Sequence, residues 1–406
     1  MLPSDVRPKR LAKALPIALS AVLILGFADL LPDRVAEYSR RVEEVRGRKF
    51  SRPVPASEID KAELRKVLRS KLAEQLPVPA EEYFRSLATV GLIDDQPGLL
   101  DTLVDFYSSQ VIAFYDPEPR RFFVIRGAEG SDADGDAASQ GMAQGLIFSH
   151  ELTHALQDET LHLDDRIRRL KDDGDRALAL QCLLEGEATL VMIRVALKDI
   201  PGAGADAEDQ IGPLLSAGSL ERANVPKEVP DYFVDQLFFP YVDGMAFVRA
   251  AVKHGGWAEV DKLWRDPPES SAEILHGVRL PPPPQDLFPA NILSLAPQQR
   301  FLYLDTLGEW TLRFLLQRAI PQAEAAAASA GWRGDRIAFF ASPGSLGYVW
   351  RIRFDEPASA ARFESALRKA RAKRPVRGPE TIRLGGKDVV IWSGLSKAPE
   401  LPEWKG

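Results

Sequence analysis

Four consecutive prolines, Pro281–Pro284, divide this 406-residue chain more sharply than any other feature. Proline has no backbone N–H and a fixed φ, so neither a helix nor an inner sheet strand runs through such a stretch. A length of 406 residues also suits two or three domains better than one core. Ahead of the prolines, apolar residues recur mainly at helical spacing, as in Leu64, Val67, Leu68 and Leu72. Behind them, helical runs alternate with short strand patterns. The expected class is α+β: a mainly helical domain over residues 59–280 carrying a small edge hairpin, and a smaller α+β domain over 290–402.

The hairpin is expected from Val111–Tyr115 and Arg121–Ile125, joined by the turn Asp116-Pro117-Glu118-Pro119. Helices are expected near Met142–Glu159, Asp175–Lys198 and Tyr241–His254, the last after Phe238-Phe239-Pro240. Beyond the prolines come a helix near Leu302–Ala319 and an alanine-rich one near Glu324. Strands Ile337–Phe340 and Gly347–Phe354, a helix Ala358–Ala372 and a hairpin, Thr381–Leu384 with Asp388–Trp392, complete the pattern. Residues 32–48 read as a polar helix and Ser51–Ser57 as a linker, together a segment over 29–58.

Before that segment, Arg7, Lys9, Arg10 and Lys13 precede fifteen uncharged residues, Ala14–Ala28. A membrane-spanning helix needs roughly 17 to 25, so residues 1–28 read as an export signal cleaved after Gly26-Phe27-Ala28. An uncleaved membrane anchor stays open, and either way the protein is expected outside the cytoplasm: periplasmic, on the cell surface or secreted. A net charge of −6 argues against nucleic acid as a partner. The one dense basic run, Lys369–Arg374 with Arg377, reads as a solvated helix end. Cys182 is the single cysteine and sits in an apolar run, so it is expected to be buried and to form no intrachain disulfide. Asp132, Asp134 and Asp136 hint at a calcium loop, but Ala143 stands where the twelfth-position glutamate is needed, which leaves a solvated loop.

His150-Glu151-Leu152-Thr153-His154 is the pattern that carries chemistry. Residues four apart on a helix share a face, so both imidazoles can grip one ion, while Glu151 is turned aside towards a water beside it. The pattern by itself also fits two surface histidines beside a glutamate. A third ligand separates these readings. Glu185 and Glu187 lie in the next helix, roughly 200° apart around it, so only one of them can face the metal. The stripe through Glu185 contains Leu178, Cys182, Thr189, Met192 and Ala196, whereas that through Glu187 runs to Arg194 and Lys198. Glu185 is therefore the inward carboxylate, in need of a metal or a buried arginine, and Glu187 a surface or supporting group.

Here the sequence resembles the gluzincin metallopeptidases, which set two histidines and a base glutamate on one helix and a ligand glutamate on the next, often as Glu-Gly-x-Ala. His150–His154 and Glu185-Gly186-Glu187-Ala188 match that arrangement. The resemblance implies one zinc ion held by His150, His154 and Glu185, with Glu151 as general base. Tyr241-Val242-Asp243-Gly244 is similar to the Tyr-x-x-Gly helix of aminopeptidase N-like enzymes, which implies that Tyr241 donates to the oxyanion; read alone it is a core or interface aromatic. Phe114-Tyr115-Asp116-Pro117, Phe239-Pro240-Tyr241 and Ile274-Leu275-His276 extend the likeness to a group of exported bacterial proteins assigned as zinc metallopeptidases. That likeness covers roughly residues 60–280, where a zincin-like fold is expected, and lends a site without a settled substrate; the protein or peptide substrate class is what the gluzincin resemblance implies. Many gluzincins carry an acidic residue four beyond the ligand glutamate to orient the first histidine, where this chain has Thr189.

His276 is either a second electrophile or a helix-end histidine, and His162 and His254 read as surface residues. The function expected is metal-assisted peptide hydrolysis. Alternatives are a zinc hydrolase acting on another bond, a catalytically silent zinc-binding module and a structural envelope protein.

Overall fold

Helical spacing ahead of the prolines produces a helical body, and strand patterning behind them produces one antiparallel sheet. In a computed structural model the described residues are 31–126, 137–200, 208, 225–284, 286–395 and 397–402. Residues 1–28, expected to be an export signal or anchor, and residues 132–136 lie outside them. Among the described residues no helix is long and apolar enough to cross a membrane.

The first stretch contains α1 (Leu31–Arg46), β1 (Ala56–Ile59), α2 (Lys61–Gln75), α3 (Ala80–Val90), α4 (Leu99–Gln110), β2 (Ala113–Asp116) and β3 (Arg121–Ile125). Next come α5 (Ala137–Leu161), α6 (Leu163–Arg168), α7 (Gly174–Lys198), α8 (Asp231–Phe239), a π turn (Pro240–Gly244), α9 (Met245–Gly255), α10 (Trp257–Arg265) and α11 (Ser271–His276). After the prolines follow β4 (Arg300–Asp305), α12 (Gly308–Gln317), α13 (Gln322–Ser329), β5 (Trp332–Ser342), β6 (Ser345–Phe354), α14 (Pro357–Lys373), β7 (Glu380–Gly385) and β8 (Asp388–Ser393). The class is α+β, as expected.

Three elements differ from the sequence expectation. The helix expected to start at Tyr241 begins ten residues earlier at Asp231 and passes through Pro240 as a π turn. Proline removes one helical N–H, and an i→i+5 turn absorbs the defect without ending the helix. The apolar run at Leu302 is strand β4, and helix α12 starts only at Gly308. The supposed linker holds β1, which pairs in parallel with β3 and makes a three-stranded sheet of order β1-β3-β2.

The five-stranded sheet has order β4-β5-β6-β8-β7 with every pairing antiparallel. Alternation sends Phe339, Tyr348, Trp350 and Ile391 to one face and Phe340 and Val349 to the other. The first face joins a cluster that also contains Leu64, Leu103, Cys182, Phe233 and Trp310, so one apolar core crosses the proline run. The basic run is exposed at Lys369, Lys373, Arg374 and Arg377, as expected of a solvated helix end, yet it also makes contacts: Arg371 donates to the Val90 carbonyl at 2.8 Å, Arg374 pairs with Asp94 at 2.7 Å and Arg377 with Asp95 at 2.6 Å. Those contacts bind the two halves together around the loop after α3.

Candidate metal centre

The centre is built where α7 crosses the π turn. A Cβ on Gly186 would collide with the Gly244 backbone, and one on Gly244 with the Cys182 carbonyl, so the two glycines permit backbone-to-backbone packing. Glu185 precedes the first glycine, and Tyr241 lies three residues before the second, within the π turn. On its other side α7 packs against α5, which presents His150 and His154. Cys182 is buried at this crossing, as its apolar run implied.

His150, His154 and Glu185 come together as a buried group able to hold a metal ion, with one ligand atom from each within 4.8 Å of the others. The His150 and His154 Nε2 atoms are 3.1 Å apart, and Glu185 Oε2 lies 3.0 Å from the first and 3.4 Å from the second. Ligands around a tetrahedral ion at 2.0–2.1 Å are separated by about 3.3 Å, so this triangle has the size such an ion requires. Glu185 Oε1 has no hydrogen-bond partner among the described residues. A buried carboxylate oxygen without a donor is costly unless a cation faces it. The donor set therefore fits a small divalent metal.

The charges within the group point the same way. Burial would raise the Glu185 carboxyl, but the His154 charge and hydrogen bonds from both imidazoles hold it at about 2. Burial would depress His154, and the Glu185 carboxylate overrides it, lifting the imidazole to about 9. Burial dominates at His150, whose pKa falls. Positive charge is thus favoured at the centre of the group, where a proton or a metal cation can supply it.

Glu151 leaves the ligand face, as helical geometry requires. Its Oε2 accepts the Tyr115 N–H at 2.8 Å, while Oε1 is buried without a partner among the described residues. Burial is the main influence on this carboxyl and pushes it up to about 8. Tyr115 binds α5 twice, because its hydroxyl also donates to Asp158 at 3.0 Å. All four residues of β2 are buried, and its outward N–H at Tyr115 is taken by Glu151. The hairpin is thus a packing element of the site in the described structure.

The second glutamate of α7 takes the supporting place, not the surface one, of the two that the sequence left open. Glu187 is fully buried, and Arg46 donates to its Oε1. Its Oε2 accepts from Gln157 Nε2 at 2.9 Å and from Trp264 Nε1 at 2.7 Å. The buried arginine considered for Glu185 serves Glu187 instead. Gln157 and Asp158, near the end of α5, are buried. Gln157 Oε1 lies 2.9 Å from His154 Nδ1, so it supports the second histidine of the group. The Thr189 hydroxyl is buried with no hydrogen-bond partner among the described residues. Arg46, Tyr115 and Gln157 were not singled out in the sequence as site residues; only the Phe114–Pro117 likeness touched one of them, Tyr115.

Tyr241 stacks on His150, with ring centroids 5.8 Å apart and planes at 20°. His276 ends α11 and pairs with Glu309 at 2.9 Å beside a separate cleft lined by Trp332 and Arg353. His162 and His254 are exposed. A mainly apolar cavity of about 300 Å³ runs from exposed Lys171 to Glu185, walled by Leu76, Tyr107, Phe233 and Leu237.

Comparison with known proteins adds little to this geometry. A family model described as a domain of unknown function, DUF8575, matches residues 299–395, from β4 to β8. No curated protein matches the chain. A protein from Chloroflexus aurantiacus, described as a candidate hydrolase with a novel fold, superposes with a TM-score of 0.40 and 20% identity over 62% of this chain and 89% of its own.

Proposed function

We propose that the protein is a zinc-dependent hydrolase of the gluzincin type, acting outside the cytoplasm on a peptide bond. The observation that carries this is the pairing of a metal-sized triad with a base that has one oxygen free. Glu185 Oε1 and Glu151 Oε1 are both buried without donors among the described residues, and a centre built only for stability has no use for the second. Zinc bound by His150, His154 and Glu185 would act as a Lewis acid, polarising a carbonyl and lowering the pKa of water from about 15.7 towards 7.

The chain's own groups supply the remaining steps. Glu151 Oε1 takes a proton from water as the new C–O bond forms at the peptide carbonyl. Glu151 then returns that proton to the amide nitrogen as the C–N bond breaks, and the new carboxylic acid gives its own proton to the released amine, leaving a carboxylate and an ammonium. Burial raises the Glu151 carboxyl and a zinc cation beside it would draw it back down, so the group could both accept and give the proton near neutral pH. The Tyr115 N–H fixes Oε2, which leaves Oε1 to do the transfer. Tyr241, beside His150, would donate its hydroxyl to the oxyanion. The apolar cavity ending at Glu185 suits a large apolar substrate side chain.

Glu151→Gln is the test. Screened against a peptide library, the wild-type protein is expected to cut next to large apolar residues. The variant is expected to keep its zinc and lose at least about 100-fold in kcat. Equal turnover by both proteins would remove Glu151 as base, and zinc-loaded wild type that cleaves no peptide would leave a silent metal module or another scissile bond.

A further inference from the structure

We propose that Arg46, the last residue of α1, is a positioning residue for the metal centre, acting on His154 through Glu187 and Gln157. The helix that carries it contributes no ligand, and Arg46 is 141 positions from Glu187 in the chain. The inference rests on the zinc reading only for its affinity measurement.

The chemistry of the Gln157 amide makes the connection directional. Its Nε2 has two hydrogens and both are used, one on the Leu184 carbonyl at 3.0 Å and one on Glu187 Oε2 at 2.9 Å. Gln157 Oε1 therefore faces His154, and an amide oxygen can only accept, so His154 Nδ1 carries the proton. His154 Nε2 is left turned towards His150 and Glu185, available to a metal as a lone pair. If the amide turned over, Nε2 would meet Nδ1 and the imidazole proton would move to the metal side.

Glu187 keeps the amide from turning, and Arg46 keeps Glu187 in place. Arg46 is only 1% exposed and donates to Glu187 Oε1 and, at 2.6 Å, to Asp261. Its guanidinium lies 4.7 Å from the ring centroids of both Trp257 and Trp264. Trp264 in turn donates to the Glu187 oxygen that receives Gln157. Without Arg46, Glu187 would be a buried carboxylate with two neutral donors on one oxygen and nothing on the other, so it would reorient and release the amide. The mounting of α1 on α7 is thereby felt at His154.

The experiment compares full-length wild type with Arg46→Ala, Arg46→Lys and Gln157→Met. Arg41→Ala serves as a control, because Arg41 joins the same helix to Asp199 at 2.5 Å without touching the relay. Zinc affinity is read by chelator competition, and the His154 Nδ1–H resonance by ¹⁵N-edited NMR on metal-free protein. Arg46→Ala and Gln157→Met are expected to weaken zinc binding about 10- to 100-fold and to lose the protected Nδ1–H signal. Arg46→Lys should fall between them and wild type, and Arg41→Ala should match wild type in both readings. An Arg46→Ala protein that is less stable, yet keeps wild-type zinc affinity and the His154 signal, would show a purely structural role and overturn the proposal. Should Arg46→Ala fail to fold, Arg46→Lys decides on the same two readings. Wild type without zinc affinity would sink the zinc reading alone, since the NMR signal still reports the relay.

Discussion

The metal centre and the C-terminal sheet both bury carboxylates, but they treat them in opposite ways. Asp335 in β5 accepts four hydrogen bonds: from the N–H groups of Leu307 and Gly308 at 3.0 and 2.9 Å, and from the indoles of Trp332 and Trp350 at 3.0 and 2.8 Å. Asp388 accepts from Arg351 and Arg353, and its pKa falls because those bonds outweigh burial. Glu151 and Glu185 are as deeply buried, and each keeps one oxygen without a donor among the described residues. A fully satisfied carboxylate fixes a fold, whereas an unsatisfied one is a cost that stability alone does not explain. The contrast teaches where to look for chemistry: burial marks both regions, and only missing partners separate them.

The contrast breaks most visibly at Asp335. Asp335→Ala strands four buried donors at once, and the expected loss is about 4 kcal/mol by urea unfolding with zinc stoichiometry unchanged. If that variant also lost its zinc, the two regions would be coupled and the comparison would fail. Gly186→Ala sharpens it from the other side. Its methyl group presses α7 off the π turn, with an expected cost of about 1–3 kcal/mol and a displaced Tyr241. A smaller effect comes from Asp305, which accepts the Gly174 and Thr306 N–H groups and which burial raises to about 7. Because its folded pKa lies above the unfolded value of about 3.9, its contribution is full below pH 4 and is lost as pH rises through 7. Asp305→Asn should therefore lessen the fall in unfolding midpoint between pH 4 and 7, and a difference curve without slope would contradict that shift.

What the sequence made legible follows from the range of each interaction. His150 and His154 are four residues apart on one helix, so local geometry alone brings their rings together. Glu185 was legible through the small apolar stripe of its own helix. Glu187 stayed between a surface and a supporting place because its stripe ends in Arg194 and Lys198, while its partner Arg46 arrives from α1 and leaves no mark on α7. Gln157 was not legible as part of the site because the sequence cannot show that α7 covers it. Around Leu302 the run Phe-Leu-Tyr-Leu fits strand and helix periods alike, and the nearby helical pattern of α12 absorbed it. The tenacity of the helix through Pro240 was hidden for a related reason: packing at Gly186 and Gly244 holds a π turn that local propensity does not favour.

Metal content tests the central claim most directly. Elemental analysis of protein purified without chelator should find one zinc per chain in wild type, Glu151→Gln and Asp335→Ala, and none in His154→Ala or Glu185→Ala. Wild type free of zinc, or zinc retained by both ligand variants, would contradict the account.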